Sequence, residues 1–144
     1  MAYRLQTKAL DELFEKLNKG AVSTQGAMKR AVYSGAEVTA DAIRKSLQNA
    51  LQGGSSGELA KSLTIDTMDA DGNMVMTRIH FAGTDAETKV PNATKAAVLE
   101  SGRSDQSGRR KTEFFSSTIS STRAEALKKM EDEFLASLDR KIGE

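Results

Sequence analysis

The side chains of this sequence that could do chemistry are few. His80 is the only histidine and cysteine is absent, which excludes a metal site built on two histidines or on thiolates, and also a disulfide. A serine, histidine and aspartate arrangement would have to use His80, which the alternation of apolar and polar residues places on the outer face of a strand. We therefore interpret His80 as an exposed strand residue and expect no catalytic site, no cofactor and no enzyme activity.

Two short segments resemble ligand-binding loops but lack part of the pattern. The glycine-rich run at 53–57 follows a predicted helix and has no Lys-Ser or Lys-Thr ending, whereas a phosphate loop follows a strand and has that ending. We interpret this run as a linker. The second segment groups oxygen ligands as a calcium loop does, with Asp66, Asp69, Asp71 and Asn73. Because no acid follows before His80 to supply the bidentate ligand, a hairpin turn with Gly72 in the left-handed conformation is the better interpretation.

The segment 103–111 is the charged cluster that points to a partner. It carries the cations Arg103, Arg109, Arg110 and Lys111, one acid and no apolar residue, so we expect an exposed, flexible loop. Its cations could contact phosphate or an acidic patch on a protein. No aromatic residue stands beside them to stack on a base, which favours protein contact over nucleic-acid binding. A solvated loop that serves only solubility is the alternative.

Composition and charge limit the function classes further. The chain has 144 residues, of which 38% are apolar and 28% charged, and this fits one domain. Twenty-one Lys and Arg balance twenty Asp and Glu to a net charge of +1, so the whole-molecule field that would attract nucleic acid or anionic lipid is missing. No segment approaches the ~20 apolar residues of a membrane span, and residues 1–6 contain no apolar run typical of a signal peptide. We expect a soluble protein of a reducing cytoplasm, without membrane contact.

Periodicity predicts the elements that position these residues. Apolar residues at helical spacing predict a short helix over about 4–18 and a long one over about 23–51. The long helix carries one apolar stripe, made of Met28, Val32, Ala36, Ile43, Leu47 and Leu51. The many small residues along this face would let another helix approach closely.

The period then changes from helical to alternating over about 59–82, which predicts an antiparallel hairpin with its turn at 69–73. Its buried face should carry Val75, Ile79 and Phe81. A short helix follows over about 93–101. Since two strands alone are marginal in water, the hairpin must lie on the long helices or join strands from a neighbour. The predicted fold class is therefore α+β, in a single domain over 1–144.

The last segment has two interpretations. Thr122 and Glu125 match a capping box, which would start a helix at Thr122. One apolar stripe nevertheless runs across that point, with Phe115, Ile119, Thr122, Ala126, Met130, Phe134 and Leu138. We favour a single helix over about 113–141, with the serine-rich stretch 116–121 as its weakest part.

Two short motifs flank the predicted hairpin. The first covers 57–63 and includes Gly57, Leu59, Ser62 and Leu63. The second covers 96–102 and includes Ala96, Leu99, Glu100 and Gly102. Phe114 and Phe115 follow, at the start of the C-terminal helix.

In order and spacing these motifs resemble the tail-completion family of long-tailed bacteriophages, whose members are head-tail joining or tail-component proteins. That family's pattern is a Gly-x-Leu-x-x-Ser-Ile segment, a hairpin, a Tyr-Ala-x-Tyr-Val-Glu-Phe-Gly-Thr segment, and a Pro-Phe-Leu that opens a long C-terminal helix. In this chain Leu63 replaces Ile, Val98 and Ser101 replace aromatic residues, Arg103 replaces Thr, and the Pro is missing. The resemblance covers about 10–138.

The resemblance implies a virion protein of the phage neck. The chain would form a ring, expected to be a hexamer, between the portal, adaptor or stopper stack of the DNA-filled head and the tail terminator or tail tube. DNA would pass through the ring without sequence-specific binding. Two alternatives stay open: another phage neck or minor capsid component, and a cytoplasmic regulator that binds nucleic acid through Arg103, Arg109, Arg110 and Lys111.

Overall fold

Two long helices and a small antiparallel sheet make up most of the described structure. The computed structural model describes residues 2–6, 25–51, 57–71, 74–102 and 112–142, and the side chains of all of these except 2–6 and 138–142. In chain order the elements are β1 (Ala2–Gln6), α1 (Gln25–Leu51), α2 (Glu58–Lys61), β2 (Leu63–Ile65), β3 (Asp69–Asp71), β4 (Met74–Phe81), α3 (Asn92–Ser101) and α4 (Phe114–Ile142). The predicted α+β class is confirmed.

One face of α1 is buried along most of its length. Its buried residues recur at steps of three and four: Ala27, Met28, Ala31, Val32, Gly35, Ala36, Thr39, Ala40, Ile43 and Leu47. Small residues dominate the face, so the axis of a second helix can come close. That helix is α4, and the α1–α4 contact is the most extensive contact between elements. The predicted helix over 23–51 is confirmed from Gln25 onward; residues 23 and 24 lie outside the described residues.

The C-terminal helix is continuous through the serine-rich stretch. α4 runs from Phe114 to Ile142, so the alternative start at Thr122 is wrong. Two hydroxyl groups at the end of this stretch donate to a carbonyl oxygen of the preceding turn: Ser121 Oγ lies 3.1 Å and Thr122 Oγ1, one residue beyond the stretch, 2.7 Å from the carbonyl oxygen of Thr118. These bonds satisfy the hydroxyls inside the helix. On the predicted stripe Phe115, Ala126, Met130 and Phe134 are buried.

The sheet is built around β4. The strand β1 pairs with one edge of β4, and β2 and β3 pair one after the other with its opposite edge, all antiparallel. The inward residues of β4 are buried, as predicted for Val75, Ile79 and Phe81. The sheet packs on α1, which contacts β1, β2 and β4. Burial against α1 therefore stabilises a hairpin that would be marginal alone.

The hairpin differs from its prediction at two places. The segment at Glu58–Lys61 is a helical turn, so the first strand begins at Leu63 instead of 59. Asp69–Asp71, predicted as part of the turn, is the strand β3, and Asp71 lies opposite Met74. The eight-residue β4 is longer than β2 can cover, and β3 pairs with its remaining half. All three β3 residues are exposed, which suits charged side chains at a sheet edge. Gly72 lies outside the described residues.

The first predicted helix is wrong where the structure describes it. Residues 4–6 belong to β1, in which Tyr3 lies opposite Ile79 and Leu5 opposite Thr77. The backbone groups on the free edge of β4 need hydrogen-bond partners, and β1 supplies them. Tyr3 and Leu5 alternate with Arg4 and Gln6, which is the period of a strand. The helical spacing of the apolar residues that follow hid this short alternation. Residues 7–18 of the predicted helix lie outside the described residues.

The α1–α4 core predicts a large effect for its central aromatic residue. Phe134 is 0% exposed, so Phe134→Ala should lower the free energy of unfolding by about 3–5 kcal/mol through lost burial and a cavity. Its neighbour Leu135 is 41% exposed, and Leu135→Ala should change that free energy by no more than about 0.5 kcal/mol. Urea unfolding of both variants measures the difference. Equal midpoints for the two variants would show that this face of α4 is not core.

Candidate functional site

The two sequence motifs meet at the end of the sheet where α4 begins. The short helix α2 contacts α3, and α3 contacts both α4 and β4. We call this meeting point the motif junction and define it by Leu59, Leu99, Glu100, Phe114 and Phe115. All five residues belong to the patterns on which the family resemblance rests.

The first motif forms a tight turn with a buried side. Gly57 has a φ of +81°, which favours glycine, and no atom lies near enough to obstruct an added side chain. Glycine is therefore needed there for its backbone conformation and not for space. Leu59 and Leu63 are buried. Ser62 ends the turn by donating from its Oγ to the carbonyl oxygen of Leu59, 2.6 Å away.

The second motif forms the end of α3. Ala96 and Leu99 are buried, and Gly102 closes the helix with a φ of +77° while its N–H donates to the carbonyl oxygen of Val98 at 2.8 Å. The carbonyl oxygen of Leu99 accepts a bond from Thr112 Oγ1 at 2.6 Å and one from the Thr112 N–H at 3.3 Å. The chain before α4 is therefore fixed to the last turn of α3.

Glu100 connects the second motif to the first turn of α4. One of its carboxylate oxygens accepts from the Phe115 N–H at 2.8 Å, and the other accepts from the Ser116 N–H at 3.2 Å and from Ser116 Oγ. The first N–H groups of a helix have no partner within it, and a carboxylate there also interacts favourably with the helix dipole. Glu100 thus acts as a cap supplied by another helix. Its motif spacing gave no sign of this role, because the partners lie 15 and 16 residues away.

Three phenylalanines pack beneath this cap. The ring centroids of Phe81, Phe114 and Phe115 are 6.1–6.2 Å apart in each pair, in edge-on or tilted arrangements. All three are buried. Such contacts between aromatic rings add to the stabilisation from burial. They join the end of β4 to the start of α4, so the Phe pair of the motif holds the sheet to the helix.

The loop 82–92 is fixed by one carboxylate. Asp85 Oδ1 accepts from the backbone N–H of Glu87 at 2.8 Å and of Thr88 at 3.0 Å, and Oδ2 accepts from Lys95 Nζ. The hydrogen bond from Lys95, together with those from the Thr88 and Glu87 N–H groups, holds the pKa of Asp85 well below its usual range. At its end Asn92 donates from Nδ2 to the carbonyl oxygen of Ala82 at 2.9 Å.

An open groove of about 690 Å³ lies between this loop, α2 and α3. Its apolar lining includes Leu51, Leu59 and Leu99, and its acidic lining is Glu58, Asp85 and Glu87. We call it the acidic groove. It borders the motif junction, because Leu59 and Leu99 belong to both.

His80 is paired, contrary to its interpretation as an exposed strand residue. Its side chain is 23% exposed, and Nε2 lies 2.6 Å from Asp66 Oδ1, across the β2–β4 edge. Among the described residues no three histidine, aspartate or glutamate side chains stand close enough together to hold a metal ion. No described helix is both long and apolar enough to cross a membrane. The four candidate contact residues Arg103, Arg109, Arg110 and Lys111 lie outside the described residues.

Comparison of the chain with protein-family models, with curated proteins and with solved structures gave no match.

The cap at Glu100 predicts a local change on mutation. Glu100→Ala leaves the Phe115 and Ser116 N–H groups without their acceptor, so the free energy of unfolding should fall by about 0.5–2 kcal/mol. Hydrogen exchange should accelerate at residues 115 and 116 more than in the centre of α4. Glu131→Ala, on the exposed side of the same helix, is the matched control. Unchanged exchange at the two amides would contradict the capping role.

Proposed function

We propose that this chain is a structural virion protein of the phage neck, a ring subunit that joins the DNA-filled head to the tail. Its neighbours in the stack are the portal, adaptor or stopper on the head side and the tail terminator or tail tube on the other. Its mechanism is geometric and involves no chemical step on a substrate. DNA passes through the ring without being read.

The observation that carries the proposal is the motif junction. Three pieces of the family pattern lie far apart in the sequence, at 57–63, 96–102 and 114–115, yet they form one contiguous unit. Glu100 joins α3 to the backbone of the Phe pair at the start of α4, the rings of that pair contact Phe81 of β4, and Leu59 and Leu99 line a common groove. Residues that a family keeps in order to maintain its fold are expected to lie together in the structure, as these motif residues do. The resemblance is therefore supported by a physical reason for the spacing of its motifs.

The two long helices suit a subunit whose role is to hold its neighbours at a fixed separation, without a chemical reaction. α1 and α4 have 27 and 29 residues, so each spans about 40 Å at the usual rise of an α-helix. Their small-residue contact makes a stiff pair, because close-packed interiors resist deformation. A ring of such subunits has the stiffness that a joint between head and tail requires.

One departure from the family pattern has a local cause. The family has a proline before its Phe-Leu pair, and this chain has Glu113 with a φ of +49°. Proline is restricted to a φ near −65°, so it could not adopt this conformation. The backbone N–H of Glu113 donates to the carbonyl oxygen of Glu100 at 3.1 Å, a bond that proline could not make. In this chain the hydrogen bond fixes the backbone before α4, where the family pattern has the rigid pyrrolidine ring of a proline.

Removing the gene from the phage that encodes it tests the proposal. Lysates should then contain DNA-filled heads and finished tails that stay apart, and purified protein should restore joining and infectivity. Electron microscopy and plaque counts measure the outcome. Joining in the absence of the chain would contradict the neck role.

A second measurement separates the neck protein from the nucleic-acid regulator. The purified chain should show no micromolar affinity for duplex DNA at physiological salt, because its net charge is only +1. Micromolar binding that falls steeply with salt would favour the regulator.

A further inference from the structure

We propose that the side chain of Asp85 is an acid-sensitive clasp, which keeps residues 85–90 closed while it is ionised and lets them open when it is protonated. We call residues 85–90 the tip of the loop 82–92. The clasp is a conformational device built into the fold. It goes beyond the neck assignment and does not depend on it, because it follows from the bonds of one carboxylate.

The base of the loop is held by bonds that do not involve the Asp85 side chain. The Asn92 N–H donates to the carbonyl oxygen of Gly83 at 3.0 Å, and Asn92 Nδ2 donates to that of Ala82 at 2.9 Å. These bonds keep the two ends of the loop together in either state of the clasp. Opening is therefore confined to the tip.

The tip is held by the Asp85 carboxylate at three points. Oδ1 accepts from the backbone N–H groups of Glu87 and Thr88, at 2.8 and 3.0 Å, and Oδ2 accepts from Lys95 Nζ on α3. Hydrogen bonds to a charged acceptor are roughly twice as strong as neutral ones. Protonation removes the charge and places a hydrogen on one oxygen, where it faces an N–H donor, so one bond is lost and the others weaken.

The closed tip also contains a strained residue. Lys89, whose side chain is exposed, has a φ of +60°, a left-handed conformation that is unfavourable for a residue with a Cβ. Its N–H donates to the carbonyl oxygen of Asp85 at 2.9 Å, and the Asp85 N–H donates to that of Val90 at 2.9 Å, so the turn holds Lys89 in this conformation. Opening of the turn relieves the strain. The clasp and the strained residue therefore favour opposite states of the tip.

The charged groups around Asp85 set the pH at which the clasp opens. The hydrogen bond from Lys95, together with those from two backbone N–H groups, holds the pKa of Asp85 well below its usual range. The other ionisable side chains that line the groove beside it are Glu58 on α2 and Glu87 on the loop, and α1 contributes only Leu51 to the lining. The negative charges of these two glutamates act in the opposite sense to the charge of Lys95.

The direction of the pH effect follows from the lowered pKa. An open tip leaves Asp85 in water, where the pKa of an aspartate is about 3.9. A carboxylate whose pKa is lower in the closed tip stabilises that tip above about pH 3.9, and the contribution is lost as the pH falls through the lower value. The tip should therefore be closed near neutral pH and open only in acid.

Amide NMR of the full chain during an acid titration tests the proposal. The Glu87 and Thr88 amide shifts should change together, with a midpoint below about pH 3.9. Their protection against hydrogen exchange should fall there by about tenfold or more, while that of Ile79 in β4 is kept. Loop amides that change only together with Ile79, that change at or above about pH 3.9, or that do not change would overturn the clasp.

Two lysine substitutions separate the clasp from a general effect of charge. Lys95→Gln removes the cation that stabilises ionised Asp85, so the midpoint should rise by about one pH unit or more. Lys61→Gln removes a cation from α2, where its contact with Glu58 is 3.6 Å long between exposed groups, and should leave the midpoint unaltered. An equal rise in both variants would overturn the clasp, because net charge would then govern the opening.

A second pair of variants tests the strained residue. Lys89→Gly and Lys89→Ala both remove the side-chain charge, but only glycine adopts the positive φ without strain. The glycine variant should therefore open at a lower pH than the alanine variant. Opening of the glycine variant at the same or a higher pH would overturn the proposal that strain at this position opposes the clasp.

Discussion

The packing of α4 along the small-residue face of α1 is the contact on which the rest of the structure depends. Phe134 and Met130 are fully buried on α4, and Ala31, Ala36 and Ala40 are fully buried on α1. Large side chains on one helix and small ones on the other allow a close approach with few voids. The sheet also packs on α1. The chain has only five phenylalanines. Two of them, Phe114 and Phe115, open α4, so the position of that helix decides whether they can contact Phe81 at the end of β4.

Regular, repeating patterns were readable from the sequence, and contacts between distant residues were not. The helical stripe of α1 and the alternation of Val75, Ile79 and Phe81 predicted their elements because each follows from one period. The strand β1 was missed because five alternating residues stand beside a longer helical pattern. The hydrogen bond from the Phe115 N–H to Glu100 and the pair of His80 with Asp66 link residues 15 and 14 positions apart, which no local period reveals.

The burial of the motif residues shows that they stabilise the fold and do not form a contact surface. Leu59, Leu63, Ala96, Leu99 and the Phe pair are all buried, so they hold the fold and cannot be what a partner touches. Any partner of this chain would therefore contact the exposed residues between and around the motifs.

If a phage encodes this chain, electron cryomicroscopy of the neck in its intact virions is the most direct measurement of the proposed role. If the chain is a neck ring subunit, density for the α1–α4 pair should repeat around the DNA channel between head and tail. Mass spectrometry of the same particles should detect the chain. A neck whose density is fully explained by other proteins, in particles that lack the chain, would contradict the assignment.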